Sequence, residues 1–586
     1  MKKLLLTAAV LVTCFVANAQ YFQHVYGVPV NETLTSGINT TASGDGYFMA
    51  SSNSGFAFGT ASISATFADV AGNIPGGPYF TNEYMVVSNA GNPLQTQDPQ
   101  VFEYNNGSGF GIIGRYTDPT MANPNTGIYF LQLDPSGNVL NSFDYTVNPN
   151  GGSFWDVIKV SAIAESASGK EIYITGWLQP NFAQVNSFVL KVDASSGAII
   201  WGYVYDVINP SFSSKDLFND IVESPYGAEV IVVGQTYDGT TTSDGLFMRI
   251  NSNTGAAFPV VNLHGTATSW DAFNAITVAN SPSAGGPGFA IGGTSNTNGT
   301  NDFWFTLVDP TGTFITSTLH DYSINPGAND NCEDIIERKN TSGKFEYYMA
   351  GSTFKGAFGK YDVLVIKTDA KGNGVANGEF TYGSAGNDFG KSLDQYNGTN
   401  NDGLSVFGTY DDNIIGGSDM YLVRAYFNGA SGCNEKFNTP TPKNGPKLYL
   451  RYDVKDIAKF KDDKFSWKQT GAKEKTLCFA WSITGGNNAR VAPEKPKGDK
   501  EAKISPNPIA QGIQYASFEV EVETPTTAQV AIYDMLGRSY YTQTFTLVKG
   551  NNSLMLDISN ANMAAGMYTV KIQGDNLNKN IVWLVK

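Results

Sequence analysis

Short apolar runs separated by turns rich in Gly, Asn, Asp and Ser cover most of the chain. Runs of this length bounded by such residues predict β-strands. One run, ending in Gly, returns at a near-constant interval: Ile112-Ile113-Gly114, Ile174-Thr175-Gly176, Val232-Val233-Gly234, Ile291-Gly292-Gly293, Met349-Ala350-Gly351 and Val406-Phe407-Gly408. The steps from Gly114 to Gly408 are 62, 58, 59, 58 and 57 residues, and Tyr47-Phe48-Met49-Ala50 is a degenerate first copy. A second strand follows each copy and leads into an Asp- or Asn-to-Gly turn, such as Asp193 to Gly197 or Asp309-Pro310-Thr311-Gly312. Asp and Asn open such turns with their own side chains, and Gly accepts positive φ. One strand before the Gly run and one after the turn complete four per unit. Seven units of four short strands predict an all-β, seven-bladed β-propeller. Serial immunoglobulin-like sandwiches would need about 100 residues each. The last unit lacks its fourth strand, while Tyr21–Gly27 reads like the fourth strand Phe380-Thr381-Tyr382-Gly383 of unit six. The N-terminal strand is therefore expected to close the ring and remove a free edge.

Composition sharpens this reading. The 586 residues include 63 Gly, 36 Phe and 30 Tyr but only 16% charged residues, against about 25% in an average chain. That balance argues against coiled coils and helical bundles. A hydrophobic content of 41% argues against disorder. The net charge of -15 argues against a nucleic-acid-binding role. It hides a basic stretch, since residues 436–503 hold 14 Lys and 2 Arg against 8 acidic residues. Expected strands at Lys447–Val454, Lys464–Thr470 and Thr476–Ile483 make residues 435–492 a small Lys-rich β-module or spacer, followed by a charged linker over 493–503. Contact with anionic surface polysaccharide is the sharper alternative for this stretch.

Both ends bear on location. Lys2 and Lys3, the apolar run Leu4 to Val16, and Ala17-Asn18-Ala19 read as a secretory signal peptide over residues 1–19, cleaved between Ala19 and Gln20. The propeller then spans 20–434. Cys332, Cys433 and Cys478 remain, so at most one internal disulfide is expected, with Cys433–Cys478 the guess. Residues 504–586 alternate as strands at Phe518–Val522, Gln529–Tyr533, Tyr540–Leu547, Ser553–Asp557, Met567–Ile572 and Ile581–Val585. Pro506-Asn507-Pro508, Ile532-Tyr533-Asp534-Met535-Leu536-Gly537-Arg538, Gly550-Asn551-Asn552 and Ala565-Gly566-Met567-Tyr568 occur in that order. This segment resembles the type A C-terminal sorting domain of the type IX secretion system. The resemblance implies a β-sandwich address that an outer-membrane translocon reads and a sortase-like protease usually removes. It places the protein outside the cell or on its outer surface, reached through the periplasm. Its motif residues would be Pro506, Asn507, Pro508, Asp534, Gly537, Arg538, Gly566 and Tyr568. The stretch Tyr361 to Leu393 resembles the repeats of bacterial secreted propellers, an architecture without one shared function.

Candidate chemistry is sparse. Asp156, Asp220, Asn274, Glu333 and Asp334 stand on or beside the strands expected to line the axis, with Asn219 and Lys391 nearby. They are candidate channel-lining ligand residues, and paired carboxylates there could hydrolyse glycans. A hydrated polar ring is the plainer reading, and no catalytic residue is assigned. No cofactor is expected. Asp238 to Asp244 and Asp411-Asp412-Asn413 are candidate calcium ligands that lack EF-hand spacing, and they read more plainly as solvated turns. Trp177, Trp201, Trp270 and Trp304 could stack on sugars, but Trp at such positions more often fills a core. His24, His264 and His320 read as structural. A secreted binding or adhesion protein for a glycan or protein is the expected function, and an extracellular propeller hydrolase or lyase the alternative. No transmembrane segment is expected.

Overall fold

The computed structural model describes residues 21–475 and 503–585, apart from loop segments of which the larger are 55–60, 88–92, 120–124, 148–156, 180–184, 206–214, 281–286, 397–402, 412–416, 454–464, 506–514 and 559–563. The described secondary structure is β throughout, without a helix. The chain divides into two compact units, residues 1–487 and 488–586.

The first unit holds seven antiparallel sheets, six of them built on four consecutive strands each. Sheets 1 to 6 span residues 32–86, 95–147, 157–205, 215–265, 271–321 and 330–382. Sheet 7 takes three strands from residues 389–425, and its fourth is Phe22–Tyr26, paired from Phe22↔Arg424 to Tyr26↔Met420. Each sheet packs on the next, and the first strand of sheet 1, Glu32–Thr40, packs on strands of sheet 7. The order closes on itself and is propeller-like. First strands touch the first strands of neighbouring sheets, so they form the inner circle and the fourth strands lie outside.

The cores lie between adjacent sheets. Between sheets 3 and 4, Tyr173, Val189, Trp201, Phe218, Val230 and Leu246 are buried together. Between sheets 7 and 1, Phe22, Tyr26, Leu34, Tyr47, Met49, Phe407 and Leu422 are. Both faces of every sheet are therefore apolar. This accounts for the aromatic richness and the scarcity of charge.

Two local devices explain the sequence repeat. Every innermost strand carries a register shift, for example between Phe218 and Asp220, between Phe273 and Ala275, and between Cys332 and Asp334. Such a bulge bends the strand and pushes a carbonyl against the second strand. A Cβ at Gly234, Gly293 or Gly351 would press onto the carbonyl oxygen of Leu217, Ala272 or Asn331. The recurrent Gly is there because the bulge leaves no room for a side chain.

The second device joins neighbouring sheets. Tyr84, Tyr145 and Tyr205 in the fourth strands of sheets 1 to 3 donate to the carbonyls of Gly137, Gly197 and Gly255 in the turn of the following sheet, at 2.6, 2.7 and 2.7 Å. His264 and His320 do the same from sheets 4 and 5 to Gly312 and Gly372. Tyr382 reaches Gly429, and Tyr26 of the closing strand reaches Gly72 of sheet 1, both at 2.7 Å. The seven turn glycines all have φ between 65° and 88°, the left-handed region that turns the carbonyl toward its aromatic donor. Seven such bonds run the full circle, the last made by the N-terminal strand.

The basic stretch, expected to be a small β-module or spacer, adds strands to the sheets of the first unit. Its strands Glu435–Asn438, Thr441–Asn444, Leu448–Asp453, Phe465–Lys468 and Ala472–Lys475 pair with the outermost strands of sheets 6, 5, 4, 2 and 1 respectively. The chain thus returns around the ring as a belt, giving a fifth strand to five sheets. A ring of sheets leaves each outer edge with unpaired backbone groups, and Lys-bearing edge strands discourage further pairing. The strand expected at Thr476–Ile483 lies outside the described residues, as do Cys433 and Cys478.

In the second unit, a three-stranded sheet contains Lys503–Ser505, Tyr515–Val522 and Gly550–Asp557. A four-stranded sheet contains Thr526–Asp534, Ser539–Leu547, Gly566–Gly574 and Leu577–Val585. Val520, Val530, Ile532, Leu547, Leu556, Val570 and Ile572 form one shared core. The six strands expected from alternation lie within six of these seven.

Candidate functional site

The bulges of the inner circle gather most of the polar residues singled out in the sequence. Asn219, Asn274 and Glu333 occupy the bulged positions of sheets 4, 5 and 6, and Lys391 that of sheet 7. Asp220 and Asp334 come directly after them. Asp156 lies outside the described residues.

Each of these side chains reaches an adjacent sheet. Asn219 Nδ2 donates to the Phe273 carbonyl at 2.9 Å, and Asn274 Nδ2 to the Cys332 carbonyl at 2.7 Å. Asp220 accepts from Ile221 N at 2.8 Å through one oxygen and from Ile276 N at 2.7 Å through the other. Asp334 repeats this with Ile335 N and Leu393 N, both at 2.7 Å. Asp394 bridges Gln395 N and Asn39 N at 2.7 and 2.8 Å, crossing from sheet 7 to sheet 1. Glu333 pairs with Lys391 at 3.0 Å. The carboxylates are struts between blade-like sheets, each accepting from a backbone N–H of its own inner strand and one of the adjacent inner strand.

Burial raises these acids, to about 7 for Asp220, about 8 for Asp334 and about 6 for Asp394, against the pull of their backbone donors. The like charges of Asp220 and Asp394 add to the rise at Asp334. Replacing Asp334 with Ala leaves the buried N–H groups of Ile335 and Leu393 without their acceptor, a loss on the order of 3 kcal/mol. Glu333→Gln removes only a partly exposed ion pair and should cost under about 1 kcal/mol. Calorimetric melting of the two variants should separate them clearly, and equal melting temperatures would refute the strut role.

The remaining candidates fall elsewhere. Trp201 and Trp304 are buried and donate to Ser252 O at 3.0 Å and Ser317 Oγ at 2.7 Å. Trp270 is half-buried and donates to Tyr237 Oη at 2.9 Å, and Trp177 is half-buried. Asp238, Asp412 and Asn413 lie outside the described residues. Cys332 is buried with a free thiol, which burial pushes well up. In the C-terminal unit, Tyr568 is buried, donates to Ala564 O at 2.9 Å and stands across from Asp534. Gly566 begins the same strand, and Arg538 is exposed. Pro506, Asn507, Pro508 and Gly537, like Ala19 and Gln20, lie outside the described residues.

Sequence reading missed the aromatic-to-glycine bonds, although Tyr or His at the end of each fourth strand was their visible signal. It also missed three buried carboxylates, Asp302, Asp321 and Asp330, whose ligand atoms lie within 4.8 Å of one another. They stand far apart in the chain, and no local spacing marks them.

Residues 503–586 match the family of the secretion system C-terminal sorting domain, so the chain carries a type IX secretion sorting domain there. That domain implies export to the cell surface or the extracellular space and interaction with the type IX machinery. No helix among the described residues is long and apolar enough to cross a membrane. No curated protein matches the chain. Among solved structures, two of Sqt1 from Chaetomium thermophilum are similar with a TM-score of 0.35 each. Identity is 11% and 12%, covering 68% and 69% of this chain and 98% and 97% of those chains. Dimeric latent PorU from Porphyromonas gingivalis gives a TM-score of 0.13 at 9% identity, over 64% of this chain and 34% of that one.

Proposed function

We propose that the chain is a seven-bladed β-propeller, exported by type IX secretion, that binds a glycan or protein at the cell surface or in the medium without catalysis. The blade count rests on seven four-stranded sheets with a cyclic order and seven equivalent aromatic-to-glycine bonds. The noncatalytic reading rests on one observation, the engagement of both oxygens of Asp220, Asp334 and Asp394 by backbone N–H groups. A general acid or nucleophile must have an oxygen directed at substrate, and these carboxylates spend theirs on neighbouring sheets. The C-terminal domain is the part read by the outer-membrane translocon and a sortase-like protease.

A glycan array probed with the chain from Gln20 onward, followed by hydrolysis and lyase assays on every hit, tests this reading. Saturable binding without turnover is the expected result. Turnover of a bound glycan would favour the enzyme alternative instead.

A further inference from the structure

Four successive sheet junctions bring together two acidic side chains, one opening the third strand of a sheet and one at the start of the next sheet. Asp244 meets Asp271, Asp362 meets Asp388, and Asp419 meets Glu32. At each of these three junctions the residue after the fourth-strand aromatic is a glycine, Gly265, Gly383 or Gly27. A Cβ there would press onto the carboxylate oxygens of both acids. The fourth junction, between sheets 5 and 6, departs from this pattern. Its pair is Asp302 and Asp330, and the residue after His320 is Asp321. A third carboxylate therefore occupies the place the other junctions keep empty.

All three aspartates are buried. Asn298 Nδ2 donates to Asp302 Oδ2 at 3.0 Å, and Tyr322 N to Asp330 Oδ2 at 2.8 Å. Asp321 accepts from Gly327 N and, at 2.7 Å, from Lys443 Nζ of the belt strand Thr441–Asn444. The other oxygens, Oδ1 of Asp302 and Oδ1 of Asp330, are buried and have no hydrogen-bond partner. Thr353 stands across from Asp330 in the ladder, fully buried, with its hydroxyl directed at that carboxyl. Buried acceptors left without a partner cost free energy unless something binds them.

We propose that Asp302, Asp321 and Asp330 hold a calcium ion between sheets 5 and 6, with Lys443 of the belt closing its outer side. The donors are all oxygen, which suits a hard cation. Two oxygens on opposite sides of a calcium ion at about 2.4 Å each stand about 4.8 Å apart, the span within which these ligand atoms lie. Three carboxylates and one ammonium leave a formal charge of -2, which a divalent ion neutralises.

Equilibrium dialysis with calcium alone, on the chain from Gln20 onward stripped with EGTA, tests the site. One equivalent should bind with a Kd of about 10⁻⁴–10⁻³ M, the range of extracellular modules, and the melting temperature should rise with added calcium. The double variant Asp302→Asn/Asp330→Asn should lose both effects. Asp321→Gly, which installs the residue found at the other three junctions, should fold and weaken calcium binding by at least about tenfold, one carboxylate ligand being worth roughly 1.4 kcal/mol or more. Asp362→Asn, the counterpart of Asp302 at the next junction, should bind like the parent chain. Absence of binding in the parent chain, or binding that survives in both Asp302→Asn/Asp330→Asn and Asp321→Gly, would overturn the assignment.

Discussion

A chain from which residues 21–27 have been removed should melt far below the chain that starts at Gln20. The deleted segment supplies the outermost strand of sheet 7 and nearly buries Phe22, Val25 and Tyr26. Burial of side chains of this size is worth about 1.5–3 kcal/mol each, so the apolar term alone reaches roughly 5 kcal/mol. Two further contacts cross to sheet 1, from Tyr26 Oη and His24 Nδ1 to the Gly72 carbonyl at 2.7 and 2.8 Å. Without this segment Ser418–Ala425 becomes the outer strand of the last sheet, and the junction with sheet 1 loses these contacts. Tyr26→Phe keeps the strand and the ring packing and should cost only about 1 kcal/mol, one hydrogen bond. Differential scanning calorimetry of the two variants distinguishes loss of closure from loss of a single contact. An unchanged melt of the deletion would show that the circle stands without its N-terminal strand.

Acid should weaken the ring at two known places. His264 and His320 replace, in sheets 4 and 5, the tyrosine that sheets 1, 2, 3, 6 and 7 use to reach the next turn. Burial lowers both imidazoles to about 4, from an ordinary 6.5, with the turn carbonyls opposing that fall. The folded chain therefore keeps both neutral at pH values where the unfolded chain has already taken up protons. Their contribution is complete above about pH 6.5 and is lost as the pH falls toward 4, on the order of 3 kcal/mol for each histidine. Asp220 and Asp334 act in the opposite sense. Their folded values of about 7 and 8 lie above the ordinary 3.8, so their contribution is complete below about pH 4 and fades as the pH rises through 7 to 8. A single pH profile mixes the two, and a comparison separates them. His264→Tyr/His320→Tyr installs the residue found at the five equivalent positions. The melting temperatures of parent and variant should keep a constant gap above pH 7, and the variant should gain steadily between pH 6.5 and 4. Parallel profiles throughout that interval would contradict the titration assigned to these histidines.

Much of the ring was legible because its physics is local and repeated. The Gly of each repeat marks a bulge that excludes a Cβ, and the Asp- or Asn-to-Gly turn marks a positive φ. Both demands are met within a few residues of chain, so both leave a periodic trace. The closing strand was legible for the same reason, since Tyr26-Gly27 repeats Tyr382-Gly383. The roles of the axial acids were not legible. Asp220 and Asp334 look like channel carboxylates until the adjacent sheet brings up the Ile276 and Leu393 N–H groups, and nothing near them in the chain specifies those partners. The belt was hidden in the same way. Its Lys content was plain, but which open sheet edge each strand joins is not written in the strand's own residues.

The amino-acid sequence alone determined the β class, the recurrence of a Gly-ending strand and the sorting domain, all of which rest on patterns confined to short windows. Only the tertiary structure decided that five strands between residues 435 and 475 join the outer edges of five sheets, that the inner acids brace the ring, and that Asp302, Asp321 and Asp330 meet at one junction. Each of these joins residues from different sheets, where burial, open edges and unpaired polar atoms select the partners and spacing along the chain does not.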